Sequence, residues 1–271
     1  MRRENVSFQM SGPVVYLQSE LLAQFDFLSH GFCTRRGGVS PDPFYSLNIS
    51  AKEGDTGENV SRNLEIIAAS FGFAPEKLIL ANQVHGDIFY VPADHDFPRT
   101  GEFPECDAFA TKEAGFALGI KTADCVPVLL VDGKKKLISA IHAGWRGTAL
   151  AIAAKGVREM QRQWGSKAHD IWAAIGPSIG PCCYEVDEST RHEFITAGSK
   201  VDPFKPSENK DHWTLDLISA NRLQLQNEGV PKRQIETANI CTCCDREHFF
   251  SYRRDGEQTG RQLSFIMLHE K

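Results

Sequence analysis

The chain has 271 residues, 41% hydrophobic and 24% charged, an ordinary balance for a soluble globular protein with a substantial core. Its formal net charge of -5 argues against a protein that grips nucleic acid through a broad basic surface. No run approaches the roughly 18 apolar residues of a membrane span, and Arg2 and Arg3 lack the apolar stretch behind them that a secretory signal needs. A cytoplasmic protein is expected, as a monomer or weak homodimer.

In chain order, Val60, Leu64, Ile67 and Phe71 recur at helical spacing and predict a helix over 57–71 that Gly72 ends. Strand-like runs follow at 78–81 and 88–91. Past a loop-like stretch at 93–104, further runs lie at 116–120, 126–131 and 137–141. Thr148 reads as the N-cap of a helix over 148–164 that buries Ala153, Val157, Met160 and Trp164. A strand at 171–175, a short helix from an Asp187 cap and a loop at 198–210 come next. A helix from about 215 to 228, stopped by Gly229, and a strand at 263–268 complete the chain. No repeat, linker or regular βαβ rhythm is present. The expected fold is therefore one compact α+β domain over 1–271, with layered mixed β-sheets flanked by helices.

Eight cysteines in such a chain are better read as thiols, ligands or nucleophiles than as disulfides. The informative one is Cys125, which precedes an apolar run that turns at Asp132-Gly133-Lys134-Lys135 and returns to His142. This is a hairpin pattern. If Gly133 and Lys134 are the turn, Cys125 falls directly opposite His142, with Cβ atoms roughly 4.5–5.5 Å apart. That suits a thiolate at ~2.3 Å and an imidazole at ~2.0 Å from one zinc ion. If Asp132 and Gly133 turn instead, Cys125 faces Ala140. Beyond His142, Ala143-Gly144-Trp145-Arg146-Gly147-Thr148 reads equally as an anion-binding helix start or as an ordinary turn. His85, between two strand-like runs, is a third candidate ligand, although spacing alone does not select it over His30 or His248.

The sequence resembles the laccase-domain family, the multicopper polyphenol oxidoreductases, to which purine nucleoside phosphorylase activity with accompanying adenosine deaminase activity belongs. The matching blocks run in order from residue 30 to 268. They include His30-Gly31-Phe32 and Thr34-Arg35-Arg36-Gly37-Gly38, Asn82-Gln83-Val84-His85-Gly86, Thr122-Ala123-Asp124-Cys125, and His142-Ala143-Gly144-Trp145-Arg146-Gly147. Ile175-Gly176-Pro177-Ser178-Ile179-Gly180, Phe249-Phe250-Ser251-Tyr252-Arg253-Arg254-Asp255 and Gly260-Arg261 continue them. The resemblance implies that His85, Cys125 and His142 hold one zinc per chain. It also implies phosphate-dependent cleavage of inosine, adenosine and methylthioadenosine to a free base and ribose 1-phosphate.

Such chemistry needs a cationic phosphate cradle, a proton donor and a hold on the base. Arg62, Lys121 and Arg146 are the candidate phosphate or sugar contacts, and Phe250 and Tyr252 the candidate stacking rings. Arg62 reads equally as a solvated helix arginine, and the aromatics equally as core. Asp124, next to the cysteine, either carries a proton or orients a neighbouring group, and strand pleating would face it away from the metal.

Rival chemistries share these residues. Three protein ligands leave a zinc position open, the mark of catalytic rather than structural zinc. Copper as a substitute, or a single-copper polyphenol oxidase, would use the same donors. A multicopper cluster is disfavoured because none of the nine histidines forms a His-x-His pair. A metal-free thiol hydrolase would use Cys125 as nucleophile and His142 as base, and would have no need of His85. A zinc-stabilised binding module would draw on Cys182, Cys183, Cys241, Cys243 and Cys244, but Cys-Cys followed by Cys-x-Cys-Cys reads against knuckle spacing.

Overall fold

In the computed structural model, which describes residues 6–92 and 104–270, the strands Val126–Asp132 and Leu137–Ala143 are buried along their whole length. Continuous burial is what a strand covered on both faces shows. Pleating sorts the side chains: Leu129, Val131, Ile138 and Ala140 enter one core, and Val128, Leu130, Ile141 and Ala143 enter another.

Two six-stranded sheets account for this double burial. The first runs in the order Val6–Ser11, Val14–Ser19, Leu28–Cys33, Gln262–Leu268, Ala117–Thr122 and Leu78–Leu80. The second runs Ile235–Thr237, Ile171–Ile175, Val126–Asp132, Leu137–Ala143, Ala108–Thr111 and Phe89–Tyr90. Both are mixed, because short parallel partners sit at the edges of otherwise antiparallel sheets. Between them, Leu17, Phe32, Leu118 and Ile266 meet Phe109, Leu129, Val131 and Ala140. Truncating Leu129 to alanine would open a void there and cost about 2–5 kcal/mol.

The outer faces are covered by helices. Gly57–Phe71 lays Leu64, Ile67 and Phe71 on the first sheet against Leu78, Leu263 and Phe265. Thr56 caps it by accepting from Asn59 N at 3.1 Å, and Gly72 ends it at φ 74°. Ile152–Trp164 and Leu217–Asn227 cover the second sheet through Val157, Met160 and Leu225. A three-stranded sheet, Glu185–Asp187, His212–Leu215 and Phe204–Pro206, sits beside them. The layered α+β architecture is the expected one.

Two local expectations are corrected. The helix foreseen over 148–164 is broken: Trp145–Ala149 ends, Ala151 takes φ 60°, and Ile152–Trp164 begins. Thr148 is no cap. It is fully buried and claimed by the neighbouring helix, with Asn221 Nδ2 donating to its hydroxyl at 3.0 Å and Gln224 Nε2 to its carbonyl at 2.7 Å. The hairpin is also shifted, with Pro127 facing His142 and Asp132 facing Leu137. The Asp132 carboxylate accepts from Lys134 N and Lys135 N at 3.0 and 2.9 Å, which stabilises a four-residue turn over 133–136 in place of a two-residue one. Cys125 thus lies just ahead of its strand rather than across from His142. The loop foreseen at 93–104 falls almost wholly outside the described residues.

Candidate metal centre

The two sheets part at one end, and the chain crosses from the first to the second there twice. The crossing from Leu78–Leu80 to Phe89–Tyr90 carries His85, and that from Ala117–Thr122 to Val126–Asp132 carries Cys125. Gln83 ties the crossings together: its amide accepts from Lys121 N at 2.8 Å and donates to Lys121 O at 2.7 Å. His142 comes in from the end of Leu137–Ala143. One donor atom from each of His85, Cys125 and His142 lies within 4.8 Å of the others. The imidazoles stand perpendicular with centroids 4.9 Å apart. A shifted register therefore still delivers the expected cluster, because Cys125 swings in from the crossing loop.

Both crossings bend through the left-handed region, at His85 (φ 58°) and Asp124 (φ 94°), which side-chain-bearing residues enter only when their surroundings hold them. Gly144 closes the cluster from below. A Cβ there would meet His85 Cδ2 at 3.3 Å, Cys125 Sγ at 3.4 Å and His142 Cε1 at 3.7 Å. A side chain there would be in contact with all three and tight against the His85 ring.

Asp107, fully buried at the head of Ala108–Thr111, organises the histidines. Its Oδ1 lies 2.8 Å from His142 Nδ1 and accepts from His85 N at 3.0 Å, while Oδ2 accepts from Gly86 N at 2.8 Å. Its carbonyl accepts from His142 N at 2.6 Å. With Nδ1 engaged, His142 presents Nε2 to the cluster, the usual second partner of a metal-binding histidine. Burial opposes ionisation of Asp107, but these donors outweigh it and hold its carboxyl below the usual range. Burial likewise opposes the Cys125 thiolate, yet His142 and His85 bring the thiol down to about 6. Burial also disfavours the His142 cation, but Cys125 and Asp107 carry its pKa up to about 9. Asp107 was missed in the sequence because its partners are remote. A carboxylate heading an apolar strand was the available signal.

His85 is exposed and Cys125 half-buried, and both open onto a cavity of about 480 Å³. Lys121 lines it as expected, together with Lys52 and Arg261, two cations that spacing did not select. Arg261 Nη2 pairs with Glu53 at 3.0 Å and Lys52 donates to Asn82 Oδ1 at 3.1 Å. Burial first, then the neighbouring Lys52, lowers the Lys121 pKa. Tyr252 also lines it, with Trp145, Tyr184 and Arg253, and is half exposed.

Other candidates lie elsewhere. Arg62 is not among the lining residues and pairs with Glu65 at 2.7 Å on the outer helix. Arg146 stacks over Trp145 at 4.3 Å and points to Glu193, outside the lining. Phe250 is fully buried under the Arg35 guanidinium, 4.5 Å from its ring, so it is a core residue. Asp124 does line the cavity, but its carboxylate faces the loops behind, accepting from Thr242 Oγ1 at 2.6 Å, Ser251 Oγ at 3.0 Å and Arg253 N at 2.7 Å. These bonds use the carboxylate to anchor two loops.

Fold and site together define a candidate metalloprotein, in which two histidines and a cysteine face an open cavity. The chain belongs to the family described as multi-copper polyphenol oxidoreductase laccase, whose model matches residues 29–269. It is 37% identical over 259 residues to a purine nucleoside phosphorylase of Bacteroides thetaiotaomicron, covering 93% of this chain and 95% of that protein. Identity to a purine nucleoside phosphorylase of Deinococcus radiodurans is 38% over 239 residues, 88% of each chain. The crystal structure of YlmD from Geobacillus stearothermophilus aligns with a TM-score of 0.89 at 35% identity, over 98% of this chain and 100% of that one.

Proposed function

We propose that this chain is a zinc-dependent purine nucleoside phosphorylase acting on inosine, adenosine and methylthioadenosine, with adenosine deaminase activity at the same site. The supporting observation is a single cavity with the His85–Cys125–His142 cluster at its base and Lys52, Lys121 and Arg261 on its wall. The names of the relatives agree with it.

In phosphorolysis a phosphate oxygen bonds to the ribose C1′ as the C1′–N9 bond breaks, and the departing purine takes a proton. Lys52, Lys121 and Arg261 supply the positive charge that a phosphate dianion requires. Lys121 and Arg261 are partly buried, which strengthens their attraction over its value in water, while Lys52 is exposed. Tyr252 and Trp145 offer ring faces for a base, and a cavity of about 480 Å³ lies within the range of small-molecule sites.

His85, Cys125 and His142 would hold the zinc ion. Two imidazoles and a thiolate, with no fourth protein donor among the described residues, match a catalytic zinc site, and Asp107 provides the matching partner for His142. When bound, the ion supplies Lewis acidity at its open position. Copper would find the same three donors, but no methionine lines the cavity among the described residues. Localisation is cytoplasmic in this proposal, and the chain acts on small molecules rather than nucleic acid. Among the described residues no helix is long and apolar enough to cross a membrane.

One observation favours a second reading. Asp107, His142 and Cys125 form the chain of orienting acid, base and thiol that a metal-free thiol hydrolase would use. One experiment separates the two. Purified protein is incubated with inosine with and without phosphate, before and after EDTA treatment. Phosphate-dependent hypoxanthine that disappears with EDTA and returns with zinc supports the phosphorylase. No hypoxanthine with phosphate overturns it, and hydrolytic activity that survives EDTA points to the thiol dyad.

A further inference from the structure

A second cluster lies behind the cavity wall. Cys182 and Cys183 sit on a tight turn in which Cys183 N and Tyr184 N both donate to Gly180 O at 3.0 Å. Cys241 and Cys244 sit on another, closed by Asp245 N donating to Cys241 O at 3.0 Å. An isolated parallel bridge between Ser178 and Cys241 sets the turns side by side. Ser178 N donates to Ile240 O at 3.2 Å, and Thr242 N to Ser178 O at 3.1 Å.

The result is four sulfurs that all lie within 4.8 Å of one another. Cys244 Sγ is 3.6 Å from Cys182 Sγ and 3.3 Å from Cys183 Sγ, and all four thiols are free. A tetrahedron of thiolates at ~2.3 Å from zinc has edges of roughly 3.8 Å. The observed separations are close to that edge and far beyond a disulfide bond of ~2.05 Å. Core packing does not account for the cluster, since Cys182 and Cys244 are exposed.

Two details suit ligation. Gly180 N donates to Cys241 Sγ at 3.2 Å, a bond that favours a thiolate. Gly180 itself leaves the space: a Cβ there would meet Cys182 Sγ at 3.3 Å and Cys241 Cβ at 3.4 Å. The spacing also fits. Cys241 and Cys244 are separated by two residues, the knuckle interval, and Cys243 is outside the four. The expectation from sequence erred by counting Cys243 with them.

We infer that Cys182, Cys183, Cys241 and Cys244 form a second metal site, a closed four-thiolate site for zinc that staples the two loops. Four soft sulfur donors with no carboxylate or imidazole select zinc over harder cations. Four protein ligands leave no position for substrate, so the site is structural. Ligation exchanges thiol protons for the ion, leaving ZnS₄ with two net negative charges. Arg254 stands close by, its Nη1 donating to Thr242 O at 2.9 Å and Cys243 O at 3.1 Å. The stapled loops lead into the cavity wall at Ile179, Tyr184 and Arg253, and Thr242 joins them to Asp124, the neighbour of Cys125.

The inference stands apart from the nucleoside chemistry, and its test is metal content. Protein purified under reducing conditions should hold two zinc ions per chain by elemental analysis, and Cys125→Ser should hold one. Cobalt loaded into Cys125→Ser should show the strong visible and thiolate charge-transfer bands of a tetrahedral sulfur site. The pair Cys182→Ser and Cys244→Ser should hold one zinc and lose the four-thiolate bands. Wild type with a single zinc that Cys125→Ser loses would overturn the inference, as would a Cys125→Ser protein that takes up no cobalt. The spectra of Cys125→Ser decide the question even if the paired variant fails to fold.

Discussion

The two donor clusters sit on opposite sides of Asp124 and differ in every respect that decides what a metal can do. His85, Cys125 and His142 come from three separate segments, include nitrogen donors and open onto a cavity. Cys182, Cys183, Cys241 and Cys244 come from two tight turns and offer four sulfur donors within 4.8 Å of one another, a complete set for one metal ion. Reactivity follows the missing ligand and stability the complete set. Asp124 touches both sides: its carbonyl accepts from Ile179 N at 2.9 Å, and its carboxylate holds Thr242 and Arg253. A strained residue beside a ligand is thereby held in place by the loops that the second cluster joins.

The comparison breaks most visibly at Cys125. Cys125→Ala should remove the cavity metal and lower phosphorolysis about a thousandfold or more, since a Lewis acid contributes several kcal/mol. The four-thiolate metal should stay in that variant. An active Cys125→Ala protein, assayed with inosine and phosphate, would refute the assignment of the open cluster.

Acid separates both clusters from the fold beneath them. Acid strips metal from each, so the slope that remains in the metal-free protein belongs to other groups. His30, buried between the sheets, accepts from Ser19 N at 3.0 Å through Nε2, and burial lowers its pKa to about 4. The unfolded chain, near pKa ~6.5, takes up the proton first. Stability should therefore fall as pH drops from about 6.5 to about 4, by about 3 kcal/mol in all. Urea unfolding of the EDTA-treated protein across that range reads the slope, and His30→Gln should flatten it.

At the closed cluster the expected effect is on stability. Bound zinc at 100 times its Kd adds about 2.7 kcal/mol. Cys182→Ser with Cys244→Ser should then lower Tm by roughly 5–10 °C, and calorimetry with and without added zinc measures the difference. A Tm unchanged by these substitutions would argue that the loops need no staple.

The smallest effect is expected behind the open cluster. Asp107→Asn keeps the shape but removes the charge that orients His142. It should weaken the cavity metal about 10–100-fold in chelator competition while leaving the closed cluster's affinity as it was. Equal losses at both clusters would mean that Asp107 supports the fold rather than the metal.

Local spacing made part of this legible. The apolar strand runs at 126–131 and 137–141, the helix stop at Gly72 and cap at Asp187, and the proximity of Cys125 to His142 are properties of short segments, where period and turn chemistry operate. Even there the turn was misjudged, because the Asp132 side chain supports a longer loop than the glycine suggested. The strands Val14–Ser19 and Leu28–Cys33 were missed because Gln18, Ser29 and His30 interrupt their apolar runs, and pairing within the sheet overrides that weak local preference. His85 came from the family resemblance and not from its own surroundings.

By itself, then, the sequence determined the class of fold, the segments that carry the donors and, through ordered motif blocks, the family. Tertiary structure decided the rest. Asp107 reaches His142 across 35 residues of chain, and Cys182 meets Cys244 across 62. Lys52, Lys121 and Arg261 converge on one wall from three distant segments. Contacts of that range are set by how two twisted sheets stack and where the chain crosses between them. Residue period carries only the information of its own strand or helix.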